Sequence, residues 1–118
     1  MTTEITAYDP TRLPAPVLSY LDARDENRHA DARVLFAPAA TVLDDGRTYQ
    51  GTDEISAWIE RSSDEYEYTA TRIGQRTDDE SSITVQIRLD GNFPGGTVTL
   101  RYQFELEEDQ ITRLEIEV

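Results

Sequence analysis

The chain contains no cysteine and no lysine, and it has a single histidine, His29. Without cysteine it can form neither disulfides nor thiolate metal sites, and it has no thiol nucleophile. Without lysine it lacks Schiff-base chemistry and the phosphate loop of nucleotide-binding proteins. One histidine cannot make a two-histidine zinc motif, and no G-x-S-x-G nucleophile elbow accompanies it. Carboxylate, phenol, arginine and apolar side chains are left for chemistry, and proton transfer by a carboxylate with phenols as hydrogen-bond donors requires no metal and no organic cofactor.

Positive charge is also scarce: the chain has 11 arginines and 24 acidic residues, so its net charge is −13. Such a charge opposes binding to nucleic acid and to anionic membrane surfaces. The N-terminus lacks the basic and apolar regions of a signal peptide, and no apolar run is long enough to cross a membrane. We therefore expect a soluble, cytoplasmic protein that binds neither nucleic acid nor membrane.

The length of 118 residues predicts one domain with one core. Residues 1–12 show no clear period and are interpreted as an N-terminal arm, and residues 13–118 as the folded domain. Helical periodicity and cap residues predict three helices, over residues 14–25, over 29–36 before Pro38, and after Thr52. The third helix has a buried stripe that consists of Ile55, Trp58 and Ile59.

Four strands are predicted in the second half of the chain, over residues 66–76, 82–89, 97–106 and 111–118. Two of them alternate strictly between apolar and polar residues, which indicates an antiparallel meander with one buried face. The fold class is therefore α+β, a curved antiparallel sheet covered by three helices. A bent sheet and its helices often leave an apolar cavity between them.

The stretch from Phe36 to Gly51 joins these halves. Asp45-Gly46 favours a two-residue type I′ hairpin turn, which makes Asp44 the last residue of the preceding strand. Because strand side chains alternate, Asp44 shares a face with Val42. A carboxylate that points the same way as an apolar residue suggests a role in the cavity. The alternative is that Asp44 and Asp45 only favour the turn.

Two sequence motifs resemble those of a known family, F-A-x-x-A-T-V-x-D from Phe36 and G-T-x-x-I-x-x-W from Gly51. With the order of elements, they resemble the nuclear transport factor 2-like (NTF2-like) superfamily, in its SnoaL-like and ketosteroid-isomerase-like branch. The resemblance covers the chain from about Pro16 onward. It implies a cone-like sheet with three helices and a homodimer formed through the open sheet face.

The resemblance also implies site residues. Asp44 matches the general base of the family isomerase, and Tyr20 matches its helix-one hydrogen-bond donor. Tyr102 stands where that isomerase has a protonated carboxylic acid, and a neutral phenol can replace that donor in kind. The substrate-binding wall is predicted to contain Trp58, Val42, Val85, Ile87, Leu100 and Phe104.

The functional expectation is a SnoaL-like protein that binds a small hydrophobic molecule and transfers a proton on a carbonyl compound, with Asp44 as base. One alternative is a non-catalytic module for ligand binding or dimerisation. Another is an epoxide hydrolase, which needs an aspartate and an arginine facing each other across the cavity. Arg24, one turn after Tyr20, either reaches the cavity or lies on the surface. His29 is interpreted as a solvated helix residue.

Overall fold

The computed structural model describes residues 5–64 and 68–118, without the side chains of 62–64. Predictions for residues 1–4 and 65–67, among them the predicted strand start at Tyr66, lie outside this part of the chain. In chain order the elements are β1 (Thr6–Ala7), a 3₁₀ turn (Pro10–Arg12), α1 (Ala15–Asp25), α2 (His29–Arg33), β2 (Phe36–Asp44), β3 (Arg47–Gln50), α3 (Gly51–Asp64), β4 (Tyr68–Asp79), β5 (Ser82–Gly91), β6 (Thr97–Glu107) and β7 (Gln110–Glu117).

The seven strands form one open sheet in the order β1-β4-β5-β6-β7-β2-β3. Neighbouring strands are antiparallel except β2 and β7, which are parallel. The sheet is therefore mixed, although only antiparallel pairing was predicted. The final strand inserts between β6 and the first hairpin, so that the hairpin extends the sheet beyond β7. The predicted α+β class with three helices is confirmed.

Helix α1 begins and ends where its sequence signals predict. Pro14 and Pro16 occupy its cap and first turn, where their missing N–H groups have no helical partner. Asn27 has a φ of 56°, the left-handed conformation that ends the helical path. The face with Val17, Tyr20 and Leu21 is buried, so helical periodicity predicted the correct side.

The second helix was predicted too long. It ends at Arg33, and Phe36 already begins strand β2, which also contains Pro38. Between Phe36 and Thr41 the register to β7 shifts, which marks a bulge. A bulge interrupts the ladder of hydrogen bonds, so a proline without an N–H group is tolerated there.

The hairpin between β2 and β3 has the predicted turn. Asp45 and Gly46 have φ values of 53° and 75°, and Asp44 pairs with Arg47. Positive φ at both central residues is the type I′ geometry. Val42 is fully buried and Asp44 half-buried, which agrees with the predicted shared face.

The inner face of the sheet forms the core with α1 and α3. The alternation predicted for β5 and β6 is confirmed by their register, which pairs apolar residues across the two strands. These pairs are Ile83 with Phe104, Val85 with Tyr102, Ile87 with Leu100 and Leu89 with Val98. Among the described residues, no helix combines the length and the apolar character needed to span a membrane.

The described part of the arm is attached to the edge of the sheet. Strand β1 pairs with β4, so that Ala7 lies opposite Gly74. The Asp9 N–H donates to Gln75 Oε1 at 2.8 Å. Gly74 is buried directly beneath the arm, and its lack of a side chain permits this close approach.

Replacing Gly74 by alanine is expected to destabilise the protein and loosen the arm. A Cβ atom at this position would overlap Ile5 Cγ2 and would lie 3.0 Å from the Thr6 carbonyl oxygen. Overpacking of this kind costs about 1–3 kcal/mol. The measurement is the free energy of unfolding in urea.

The matched control is Ile5→Ala in the Gly74→Ala background, because it removes the overlapping methyl group. The double variant should recover part of the lost free energy. Strictly additive losses from the two substitutions would contradict the steric explanation.

Candidate functional site

A cavity of about 1090 Å³ opens between the helices, the first hairpin and the inner face of the sheet. Five of the residues predicted for the site line it. The three predicted catalytic residues, Asp44, Tyr20 and Tyr102, lie at its wall, and so do Trp58 and Leu100. Residues from α1, β2, α3 and β6, distant in sequence, therefore share one cavity.

The other four residues predicted for the substrate-binding wall lie in the closed core and not at the cavity. Val42, Val85 and Ile87 are fully buried and Phe104 is 1% exposed, with none of the four lining the cavity. Their side chains pack beneath the wall and support it. Alternation identified the correct face of each strand, but it does not show which part of that face is covered.

The Asp44 carboxylate is held by a donor on helix α3. The Trp58 indole Nε1 donates to Asp44 Oδ2 at 3.0 Å. Trp58 is itself buried, and its ring packs against Tyr49 with centroids 6.2 Å apart. Among the described residues, this is the one hydrogen bond to the Asp44 side chain, so Oδ1 is left for a ligand.

The two phenols are positioned by aromatic packing. Tyr20 meets Phe36 and Phe104 edge-on, at centroid distances of 5.5 and 5.8 Å. Tyr102 stacks on Phe104 at 6.3 Å. Burial raises the pKa of both phenols, and the negative charge of Asp44 contributes to both shifts. Both side chains are therefore neutral hydrogen-bond donors at pH 7.

Arg24 lies at the cavity, which decides between the two alternatives left by the sequence. Its Nη1 donates to the Tyr102 hydroxyl, and its guanidinium carbon lies 4.9 Å from the centre of the Tyr102 ring. Its Nη2 lies 2.9 Å from Asp25 Oδ1, and the side chain is 14% exposed. Helical spacing from Tyr20 was the signal for this position, since residues four apart share a helix face.

His29 also lies at the cavity wall, and the interpretation as a solvated residue is wrong. Its ring Nε2 is buried and has no hydrogen-bond partner in the described part of the chain. Helix α2 packs against both α1 and α3, which places this side chain inward. The sequence carries no local signal for that packing.

The remaining apolar wall was missed as a set. Its larger aliphatic side chains in helices and strands are Ile59, Leu89, Val98 and Ile116. Three of these residues belong to the alternating inner faces of β5, β6 and β7, so the strand pattern could have identified them. Within residues 5–64 and 68–118, no three side chains of histidine, aspartate or glutamate form a group that could hold a metal ion.

Comparison with solved structures gives several close matches. A protein from Sinorhizobium meliloti assigned as a polyketide cyclase is 34% identical, with 93% of this chain and all of that chain covered and a TM-score of 0.87. A Δ5-3-ketosteroid isomerase from a Mycobacterium species is 16% identical over 88% of this chain and 90% of its own, with a TM-score of 0.72.

A Mycobacterium tuberculosis protein in complex with estradiol-17β-hemisuccinate is 14% identical, with coverage of 87% and 90% and a TM-score of 0.73. At this identity, and at that of the isomerase, the similarity shows a shared fold. No protein-family model and no curated protein matches the sequence.

The raised pKa of Tyr20 predicts how stability depends on pH in alkali. In the unfolded chain a tyrosine has a pKa near 10.0, whereas the buried phenol keeps its proton to higher pH. Its contribution to stability is therefore complete below pH 10 and is lost as the pH rises above this value. Tyr20→Phe keeps the ring contacts and should flatten this decline, measured as the free energy of unfolding in urea between pH 8 and pH 11. Equal slopes for the two proteins would contradict the prediction.

Proposed function

The chain belongs to the NTF2-like superfamily, in the branch of SnoaL-like polyketide cyclases and ketosteroid isomerases, and we propose that it catalyses proton transfer on a hydrophobic carbonyl compound. The observation that carries the proposal is the Asp44 carboxylate at the cavity wall, held through one oxygen by Trp58. A carboxylate with one fixed and one free oxygen is suited to act as a general base.

The proposed reaction begins when Asp44 Oδ1 takes a proton from the carbon next to the carbonyl group of a β,γ-unsaturated ketone. The electron pair of the broken C–H bond forms a C=C bond, and the carbonyl oxygen takes up the negative charge. Tyr102 and Tyr20 donate hydrogen bonds to that oxygen, as in an oxyanion hole. Asp44 then returns the proton to the γ-carbon, the C=O bond re-forms and the C=C bond becomes conjugated with it, so the reaction needs no co-reactant.

The size and lining of the cavity support an apolar substrate. Its volume of about 1090 Å³ lies just above the usual range for small-molecule sites, roughly 300–1,000 Å³. Leucine, isoleucine and valine side chains from α3, β5, β6 and β7 contribute to its apolar part. The steroid ester bound by the Mycobacterium tuberculosis protein of the same fold supports a ligand of this size.

The contacts of Arg24 disfavour the epoxide-hydrolase alternative. Arg24 and Asp44 both line the cavity, as that chemistry requires. Arg24, however, donates to Asp25 and Tyr102, and Asp44 accepts from Trp58. A non-catalytic binding module would use the same cavity, and loss of activity in a base variant distinguishes it from an enzyme.

Asp44→Asn is expected to lower turnover by about 10²–10⁴-fold, the usual contribution of a general base. The amide still accepts a hydrogen bond from Trp58 but cannot take up a proton. The measurement is the deuterium exchange of protons next to the carbonyl group, followed by NMR over a panel of hydrophobic ketones. Ultraviolet absorbance of β,γ-unsaturated ketones gives a second assay through the conjugated product.

The matched control is Asp109→Asn, which makes the same change in the turn between β6 and β7. Asp109 has a φ of 64°, a conformation that asparagine tolerates. Asp109→Asn should keep full activity. Activity that survives Asp44→Asn, or the absence of any exchange by the unaltered protein over the panel, would contradict the proposal.

We also propose that the protein is a homodimer through the open sheet face, as the family resemblance implies. That face carries cross-strand ion pairs between Arg101 and Glu117 and between Arg113 and Glu105. Such a polar face can pair with a second copy of itself by complementary charges. Sedimentation equilibrium should give twice the chain mass of 13.4 kDa, and Arg113→Glu should lower it. A monomer at micromolar concentration would refute this assignment.

A further inference from the structure

The Tyr102 hydroxyl accepts a hydrogen bond from a cation. A guanidinium has donors and no acceptor, so in the contact with Arg24 Nη1 the phenol oxygen is the acceptor. The hydroxyl proton is not used by this bond, and Tyr102 lies at the cavity wall. A hydroxyl that accepts from a charged donor becomes a stronger donor itself, because hydrogen bonds polarise one another.

The position of Arg24 is fixed by a chain of alternating charges. Asp25 Oδ1 accepts from Arg24 Nη2, and Asp25 Oδ2 accepts from Arg72 Nη2, both at 2.9 Å. Arg72 also donates to Asp22 and to the Tyr8 hydroxyl, each at 2.9 Å. The guanidinium is therefore in place before any ligand binds, and an organised donor costs little reorganisation during a reaction.

This support distinguishes Tyr102 from Tyr20. Tyr20 is held by ring contacts to Phe36 and Phe104, whereas Tyr102 has a cation on its oxygen. Burial raises the pKa of both phenols, and the charge of Arg24 works against both rises, so the distinction between them is the contact of Arg24 Nη1 with the Tyr102 oxygen. Tyr102 is thus the phenol better prepared to donate to an oxygen that becomes negative.

The charged residues at the cavity wall affect which net charge a substrate can carry. Asp44 and Asp45 lie at the wall, together with Arg24, whose charge is paired with Asp25, and Glu117, whose charge is paired with Arg101. The ring of His29 also lies there. A ligand that is already anionic would be repelled by the carboxylates of Asp44 and Asp45, which form no salt bridge with the described residues. A neutral carbonyl compound becomes negatively charged only during the proposed reaction, at the oxygen that accepts from Tyr102.

We propose that Arg24 is a positioning residue that directs and polarises the Tyr102 hydroxyl, and that the cavity selects neutral carbonyl compounds over carboxylates. The proposal rests on the proposed function, because it takes Tyr102 as the donor to the substrate oxygen. Arg24 acts through Tyr102 and itself takes no proton.

The test measures binding of 4-nitrophenol, whose phenolate absorbs visible light and whose neutral form does not. It is done in Asp44→Asn protein, because that change removes the negative charge next to the probe. The assay needs no turnover, so a failure of the proposed proton transfer leaves its outcome interpretable. The spectrum reports both the affinity and the ionisation of the bound probe.

Arg24→Met should weaken binding of the phenolate roughly tenfold or more, the size of a lost hydrogen bond to a charged group. It should also raise the pH at which the bound probe ionises. Tyr102→Phe should do the same, and the double variant should lose little more than either single variant. Arg24→Lys, which keeps the charge without the planar fork, should recover part of the affinity.

Arg88→Gln is the matched control, since it removes a charge that is paired with Asp90 on the exposed side of β5, and it should leave binding unchanged. Unchanged binding in Arg24→Met, or losses in the double variant that simply add, would overturn the role of Arg24. If Arg24→Met does not fold, unchanged binding in Tyr102→Phe would overturn it as well.

A separate binding measurement tests the preference for neutral carbonyl compounds. The unaltered protein should bind neutral 4-nitroacetophenone more tightly than 4-nitrobenzoate, because the two differ mainly in the charge of the group on the ring. The opposite order would overturn the preference for neutral carbonyl compounds.

Discussion

The hydrogen bond between the Trp58 indole and the Asp44 carboxylate joins the first hairpin to helix α3. Asp44 is half-buried on a face that it shares with an apolar residue, so its carboxylate loses part of its hydration and is stabilised by a hydrogen-bond donor. The type I′ turn orients Asp44 towards that face. Trp58 lies 14 residues later in the sequence, on helix α3, and contacts Asp44 there. The geometry of the proposed base thus depends on a local turn and one tertiary contact.

The cavity wall carries two chemically different groups. One is the Asp44 carboxylate with the Trp58 indole, and the other is the phenol of Tyr102 supported by Arg24. Ile116 of β7 pairs with both Asp44 and Tyr102, so these two residues lie two strands apart in the sheet. The elements that carry them are helices and strands with buried faces, which hold side chains more firmly than loops do. A reaction that takes a proton at the carboxylate and places negative charge on an oxygen at the phenol suits this arrangement.

Two arginines of this acidic chain are mostly buried and are held by ion pairs. Arg24 lies between Asp25 and Tyr102, and Arg72 contacts both Asp22 and Asp25 of α1. Taking a guanidinium out of water is costly unless carboxylates and hydroxyls satisfy it. The alternating cluster meets this cost and ties α1 to strand β4. The cation next to Tyr102 therefore also has a part in holding the helix on the sheet.

The sequence by itself determined the features that depend on neighbours along the chain. Prolines and Asn27 set the ends of α1, Asp45-Gly46 set the hairpin, and alternation set the inner faces of β5 and β6. The placement of Asp44, Tyr20 and Tyr102 on inward faces followed from the same periods, with the family resemblance suggesting their roles.

Only the tertiary structure decided which elements lie side by side. The parallel pairing of β2 with β7, the early start of β2 at Phe36, and the inward position of His29 all depend on contacts between distant segments. The same reason explains why Val42 and Phe104 lie in the core while Leu100 lines the cavity. A strand pattern tells which way a side chain points, whereas the distance to the covering helix determines whether that side chain meets another residue or open space.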